Sequence, residues 1–238
     1  MVEISKKYKL KNTVTFGFVN WIGLWTLYKK EVLRFLIVWI QTLLSPIISS
    51  LLFLLVLALA IGNERADVLG YPFITFLAPG LIAMQVIQQA FSHSSSSFMI
   101  GKIQGNIVDI LYAPLSPGEV TTAVVLASAT RSFMIAFISI IIFYFLVDIE
   151  IRNIYAVIFF TLISSIILGC IGVIAGLWAE KFDHMATVTS FIIIPLSFLS
   201  GTFYSIERLP QILQTISKCN PFFYMIDGFR YGLSLIHI

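Results

Sequence analysis

The chain has 238 residues, 58% of them hydrophobic and only 11% charged, with a mean hydropathy of +0.96. A soluble domain is usually about 45–50% apolar and about 25% charged, so this composition excludes a water-soluble globular fold and indicates an integral membrane protein. The formal net charge of +3 is small, and its uneven placement points to a membrane-facing asymmetry and gives nucleic acid little weight as a partner.

Seven basic residues (Lys6, Lys7, Lys9, Lys11, Lys29, Lys30 and Arg34) precede the first long apolar run. The first ~30 residues contain no compact apolar stretch with a small-residue cleavage site, so the segment is not a secretory signal. Within it, Trp21, Leu24, Trp25, Tyr28 and Val32 share one helical face beside Lys29, Lys30 and Arg34. That pattern predicts a helix lying in the cytoplasmic interface, against the plainer reading that it is the lower end of the first span.

A membrane-crossing helix needs about 20 apolar residues, and five such runs are present. The first lies within 35–61, with a kink expected at Pro46, and the second covers about 71–91, broken at Pro79-Gly80. The third lies within 120–147, the fourth covers 154–179 and the fifth 185–204. Between them stand GNERADVLG, a 28-residue stretch from Ser92 to Glu119, DIEIRN and EKFDH. Seven basic residues ahead of the first span, against one in the first loop, place the N-terminus in the cytoplasm. The 92–119 stretch and EKFDH are then cytoplasmic, and the segment from Ser205 is external. That segment holds a short amphipathic helix over about 209–218, then Asn220-Pro221, an N-cap with proline at the first helical position, and an aromatic helix.

The fold expected is an all-α polytopic bundle in one transmembrane domain. Residues 1–34 form the interfacial N-terminus, 35–204 the five spans and 205–238 the external segment. Cys170 and Cys219 are too far apart in this topology to form a disulfide framework.

Candidate sites are few. The Gly101-Lys102 pair is followed by Ile103 and preceded by Ser96 at the position of a phosphate loop's first glycine, so this chain has no nucleotide-binding loop of that type. His93, His184 and His237 have no metal-ligand spacing; a loop histidine such as His93 is expected to be solvated, and EKFDH reads as a charged turn. Gln85, Gln88, Gln89, Ser92 and Ser96 fall on one stripe near the inner end of span two, either as a polar pathway or as interhelical hydrogen bonding. Arg131 is the one charge within an apolar run, and snorkelling or an intrabundle ion pair is favoured over cargo contact. Ser165, Gly169, Gly172 and Gly176 make a packing seam, within one chain or between two. In the long cytoplasmic stretch, Ile107, Ile110 and Leu111 give a short helix an apolar face beside Asp109, ended by APLSPG.

With these features together, the chain resembles the permease subunits of type-2 ATP-binding-cassette exporters over essentially its whole length. The basic interfacial helix, the cytoplasmic helix with its PLSP segment and NPFFYMIDGFRYGL at 220–233 carry the resemblance. It implies an ATPase-coupling helix with Ile107, Asp109, Ile110, Leu111, Tyr112 and Pro114. It also implies an external re-entrant hairpin shaped by Asn220, Pro221, Asp227 and Arg230, the last two spaced i, i+3 for an ion pair. By the same resemblance two permease copies form the pore in a bacterial inner membrane, ATP and Mg²⁺ sit on a partner ATPase subunit, and this chain binds no cofactor. The family has six spans; this departure implies that a sixth apolar run follows about Gly232, and LSLIHI resembles read-through at the end of a truncated fragment. The expected cargo is a drug, lipid-linked or similar amphipathic compound. The alternatives are a polysaccharide-export permease and, from another class, a polytopic membrane enzyme or scaffold.

Overall fold

The computed structural model of the chain describes residues 19–61, 68, 70–147, 151–206 and 209–234. The expectations for Lys6, Lys7, Lys9 and Lys11, for most of GNERADVLG, for the start of DIEIRN and for residues 235–238 fall outside the described residues. The described residues form ten α-helices and no strand, apart from an isolated bridge between Val68 and Tyr71.

Helix α1 (Trp21–Ile37) passes through a π turn (Ile40–Leu44) into α2 (Ser45–Ile61), followed by α3 (Phe73–Ile103) and the short α4 (Ile107–Tyr112). Then come α5 (Pro117–Tyr144), α6 (Ile154–Trp178), α7 (Phe182–Val188), a second π turn (Thr189–Ile193) and α8 (Ile194–Phe198). The amphipathic α9 (Gln211–Cys219) and the aromatic α10 (Pro221–Ser234) complete the order.

Among the described residues, four segments are long and apolar enough to cross a membrane: Ile40–Ala60, α3, α5 and α6. Where sequence reading expected a fifth span to Tyr204, the apolar helix Phe182–Phe198 ends earlier, in a turn. Its 17 residues rise about 25 Å, short of a hydrocarbon core about 30 Å thick. Large exposed side chains such as Leu59, Phe137, Ile174 and Phe191 would be costly in water and are at home against lipid.

Prolines account for the irregular turns. In each π turn the backbone reaches back five residues, Ser45 N–H to Ile40 O and Ile194 N–H to Thr189 O, immediately before Pro46 and Pro195. The wider turn accommodates a ring that would crowd the carbonyl four residues back. Pro79 behaves differently: α3 runs through Pro79-Gly80 unbroken, contrary to expectation. Gly80 is a contact seat, since a Cβ there would lie 2.6 Å from Arg230 Nη2 and 2.8 Å from Thr202 O.

The 92–119 stretch needs the larger correction. Sequence reading ended the second span at about Phe91, yet α3 continues to Ile103. Its 31 residues span about 46 Å, more than a hydrocarbon core about 30 Å thick, so a helix of this length has room for polar turns outside that core. His93, expected to be solvated in a loop, is fully buried on this helix.

Two glycine seams hold the bundle together. On α6, a Cβ at Gly172 would meet Phe91 O at 2.6 Å and one at Gly176 would meet Ser95 O at 2.6 Å, so the expected seam packs on α3 of the same chain. On α10, Gly228 faces the Phe160 ring and Gly232 faces Val157, setting α10 antiparallel on α6. Asn153 N–H also donates to Gly232 O at 2.9 Å. Phe76, Leu77, Ile82, Phe91, Ile226, Phe229 and Leu233 fill the main core between these helices.

Candidate coupling surface and polar cleft

Helix α4 begins after Gly105, whose φ of 76° lies in the left-handed region that glycine adopts without strain. Sequence reading grouped Ile107, Ile110 and Leu111 on one apolar face, and the helix divides them. Ile107 packs inward on the cluster of Phe98, Val124, Val125 and Val173. Ile110 is half-buried and lines a groove of about 570 Å³ shared with Asn20, Gly23 and Leu27 of the α1 start. Leu111 (75% exposed) and Tyr112 (87%) point outward with Val108, and Asp109 is also exposed.

This surface is fastened to the bundle at the start of α5. Ser116 and Glu119 form a capping box, with Pro117 at the first helical position. The Glu119 carboxylate accepts from Ser116 N–H at 2.6 Å and, across 99 residues of sequence, from Asn20 N–H at 2.5 Å. Asn20 in turn caps α1 by accepting from Gly23 N–H at 2.9 Å, and its amide donates to Pro114 O at 3.0 Å. The α1 start, the α4–α5 turn and the α5 start are therefore one hydrogen-bonded unit. Lys102 Nζ donates to Leu177 O and Ala179 O, covering the orphan carbonyls at the end of α6.

Above this unit lies a polar cleft of about 470 Å³ between the α1–α2 junction, α3 and α5. Arg34, Gln41, Gln89, Ser92, His93 and Arg131 are among its lining residues. Gln85 and Gln88 are half-buried on α3 and stay outside that lining. On one side, buried Glu31 accepts from Ser97 Oγ at 2.8 Å and pairs with Arg34 Nε at 3.0 Å. His93 Nε2 lies 3.9 Å from the same carboxylate, and its ring meets Phe35 edge-on. On the other side, Arg131 is 8% exposed and does not snorkel outward. Its Nη2 donates to Gln89 Oε1 at 2.5 Å and to Thr42 O at 3.1 Å. Pro46 has no N–H to offer that carbonyl four residues back, so the proline supplies the arginine's acceptor.

At the other end of the bundle, Asn220 Oδ1 accepts from Phe222 N–H at 3.0 Å, and its amide donates to Leu196 O at 2.7 Å. Pro221 opens α10 as the sequence pattern required. Arg230, one turn beyond Asp227, is fully buried. It donates to Gly201 O and Thr202 O at 3.1 and 3.2 Å and stacks 4.1 Å from the Phe76 ring.

Sequence reasoning missed Glu31, Ser97 and the Asn20–Glu119 contact, and it expected His93 in solvent. Ser116-x-x-Glu119 and Gly228-x-x-x-Gly232 were legible as a capping box and a second glycine seam. The clustering of Glu31, Arg34 and His93 needs the relative position of two helices, which no local pattern carries.

Residues 23–234 match the family described as ABC-2 type transporter. The chain is 33% identical over 212 residues to the inner membrane transport permease YadH of Escherichia coli strain K12, covering 89% of this chain and 83% of that protein. It is 24% identical over 229 residues to nodulation protein J of Rhizobium leguminosarum bv. viciae, covering 92% and 83%, and 22% identical to its counterpart in Rhizobium meliloti strain 1021 over 227 residues, covering 92% and 84%.

Proposed function

Since the chain belongs to the ABC-2 type transporter family and is a membrane transport subunit, we propose that it is the permease of an ATP-driven exporter in a bacterial inner membrane. ATP and Mg²⁺ bind a separate ATPase subunit, and a second permease copy completes the pore. The N-terminus, α4 and the 180–184 turn face the cytoplasm, α1 lies in the interface with Trp21 and Trp25 outward, and α9–α10 form a re-entrant external hairpin. The cargo is a drug, lipid-linked or similar amphipathic compound.

The outward side chains of α4 support this reading most. Val108, Leu111 and Tyr112 are apolar, exposed and mounted on a segment tied by hydrogen bonds to α1 and α5. A partner that pushes on α4 moves both helices that wall the polar cleft. Such coupling requires ATP and cargo to prefer different states, and it acts in both directions.

The test is copurification of the full chain with a coexpressed ATP-binding-cassette ATPase subunit. Leu111→Asp combined with Tyr112→Asp should lower recovery of the ATPase by about tenfold or more, because exposed anchors of this kind carry about 2 kcal/mol each. Membrane insertion and thermal stability should not change, since neither side chain is buried. Undiminished ATPase recovery would remove α4 as the docking helix.

A further inference from the structure

The polar cleft is not closed at the α1–α2 junction. It shares Val38, Gln41 and Ser45 with a second cavity of about 550 Å³, whose other walls include Ile37, Ile40, Leu44 and Ile48. Both volumes fall in the range of about 300–1,000 Å³ found for small-ligand pockets. One compartment is lined by arginine, glutamine and serine, the next by aliphatic side chains, and Ile37 and Ile40 leave the second open to the surrounding lipid.

The charges in the cleft do not balance. Glu31 and Arg34 neutralise each other at 3.0 Å. Arg131 is more than nine-tenths buried, has no carboxylate within 4.0 Å among the described residues, and its Nε has no hydrogen-bond partner. Gln89 and the Thr42 carbonyl offer dipoles to Nη2 but no counter-charge. A guanidinium at membrane depth without a counter-ion costs free energy that a bound anion would recover.

We propose that the cleft and its adjoining groove form one binding site for an anionic amphiphile, with a phosphate or carboxylate headgroup on Arg131 and a hydrocarbon tail along Ile37, Ile40, Leu44 and Ile48. The molecule enters sideways from the cytoplasmic leaflet. As a cargo site this rests on the exporter reading above; as a binding site it does not. Gln89 is the positioning residue, because its amide oxygen holds Nη2 and leaves Nη1 of the guanidinium for the headgroup.

The test uses the full chain in phosphatidylcholine nanodiscs doped with photoactivatable phosphatidic acid, with cross-links mapped by mass spectrometry. Labels should fall on the α1–α2 junction. Arg131→Gln should reduce labelling about tenfold, the loss expected for one charge-assisted contact, while Arg131→Lys retains most of it. Dodecyl phosphate should compete, whereas dodecyl maltoside and inorganic phosphate should not. Equal labelling of Arg131→Gln, or equal competition by inorganic phosphate, would overturn the proposal. Should Arg131→Gln fail to fold, Ile40→Trp with Ile48→Trp fills the groove without touching charge and must also lower labelling. Efficient disulfide formation between two copies of Ile40→Cys would show the groove covered by a second chain, and would overturn the tail site. With the ATPase subunit present, loss of label on addition of Mg-ATP marks cargo, and persistence marks a resident lipid; both uphold the site. Failure of the ATPase to copurify would sink the exporter reading and leave the labelling result standing.

Discussion

Replacing Gly172 or Gly176 by alanine sets two effects of opposite sign against each other. Alanine is favoured over glycine within a helix by about 1 kcal/mol, so on an isolated α6 either change would stabilise. In the bundle, each new Cβ would lie 2.6 Å from a backbone carbonyl of α3, Phe91 O or Ser95 O, where ordinary contact begins near 3.4 Å. A backbone oxygen cannot rotate aside, so α3 and α6 must part by about 0.8 Å. A gap of that size forfeits a quarter to a half of the dispersion energy of each contact along the seam, and overpacking typically costs about 1–3 kcal/mol. The packing loss wins, leaving each variant about 1–2 kcal/mol less stable. Thermal melting of the purified full chain should show this as a fall of about 2–4 °C per kcal/mol. Gly118→Ala is the control, because it lies in α5 with nothing within 4 Å of a Cβ, so only the helix preference remains and the change should be neutral to about 1 kcal/mol stabilising. Melting at or above the wild-type temperature for both seam variants would refute the close approach of α3 and α6.

Two further outcomes follow from the same packing. Arg230→Met should destabilise the chain by about 1–3 kcal/mol by leaving the Gly201 and Thr202 carbonyls without their donor, and Arg230→Lys should recover only part of it; a neutral Arg230→Met would mean those contacts contribute nothing. A reporter fused after Lys181 should read as cytoplasmic and one after Arg152 as external, and the reverse pattern would overturn the topology drawn from the basic residues.

Helix starts were legible because capping is local. Asn220-Pro221 announces α10 by residue type and order alone, and the structure finds the expected hydrogen bond there; Ser116-Pro117 carries the same kind of signal for α5, which the sequence reading did not use. Spans were legible where apolar length was the only question. The reading failed where polar residues entered a helix: the stretch from Ser92 reads as lying between spans, yet the helix continues to Ile103 and is held to α1 by Ser97 donating to Glu31.

The sequence by itself determined that this chain belongs in a membrane, where its long apolar runs lie, and that a short helix stands between the second and third of them. Those properties depend on composition and on spacing within one element. Only the tertiary structure decided that Gly172 and Gly176 face α3, that α4 splits its apolar residues between an inner and an outer face, and that Arg131 turns inward to Thr42 and Gln89. Each depends on which helices come within a few ångströms of each other, and that follows from side-chain volumes and orphaned carbonyls in elements far apart in sequence.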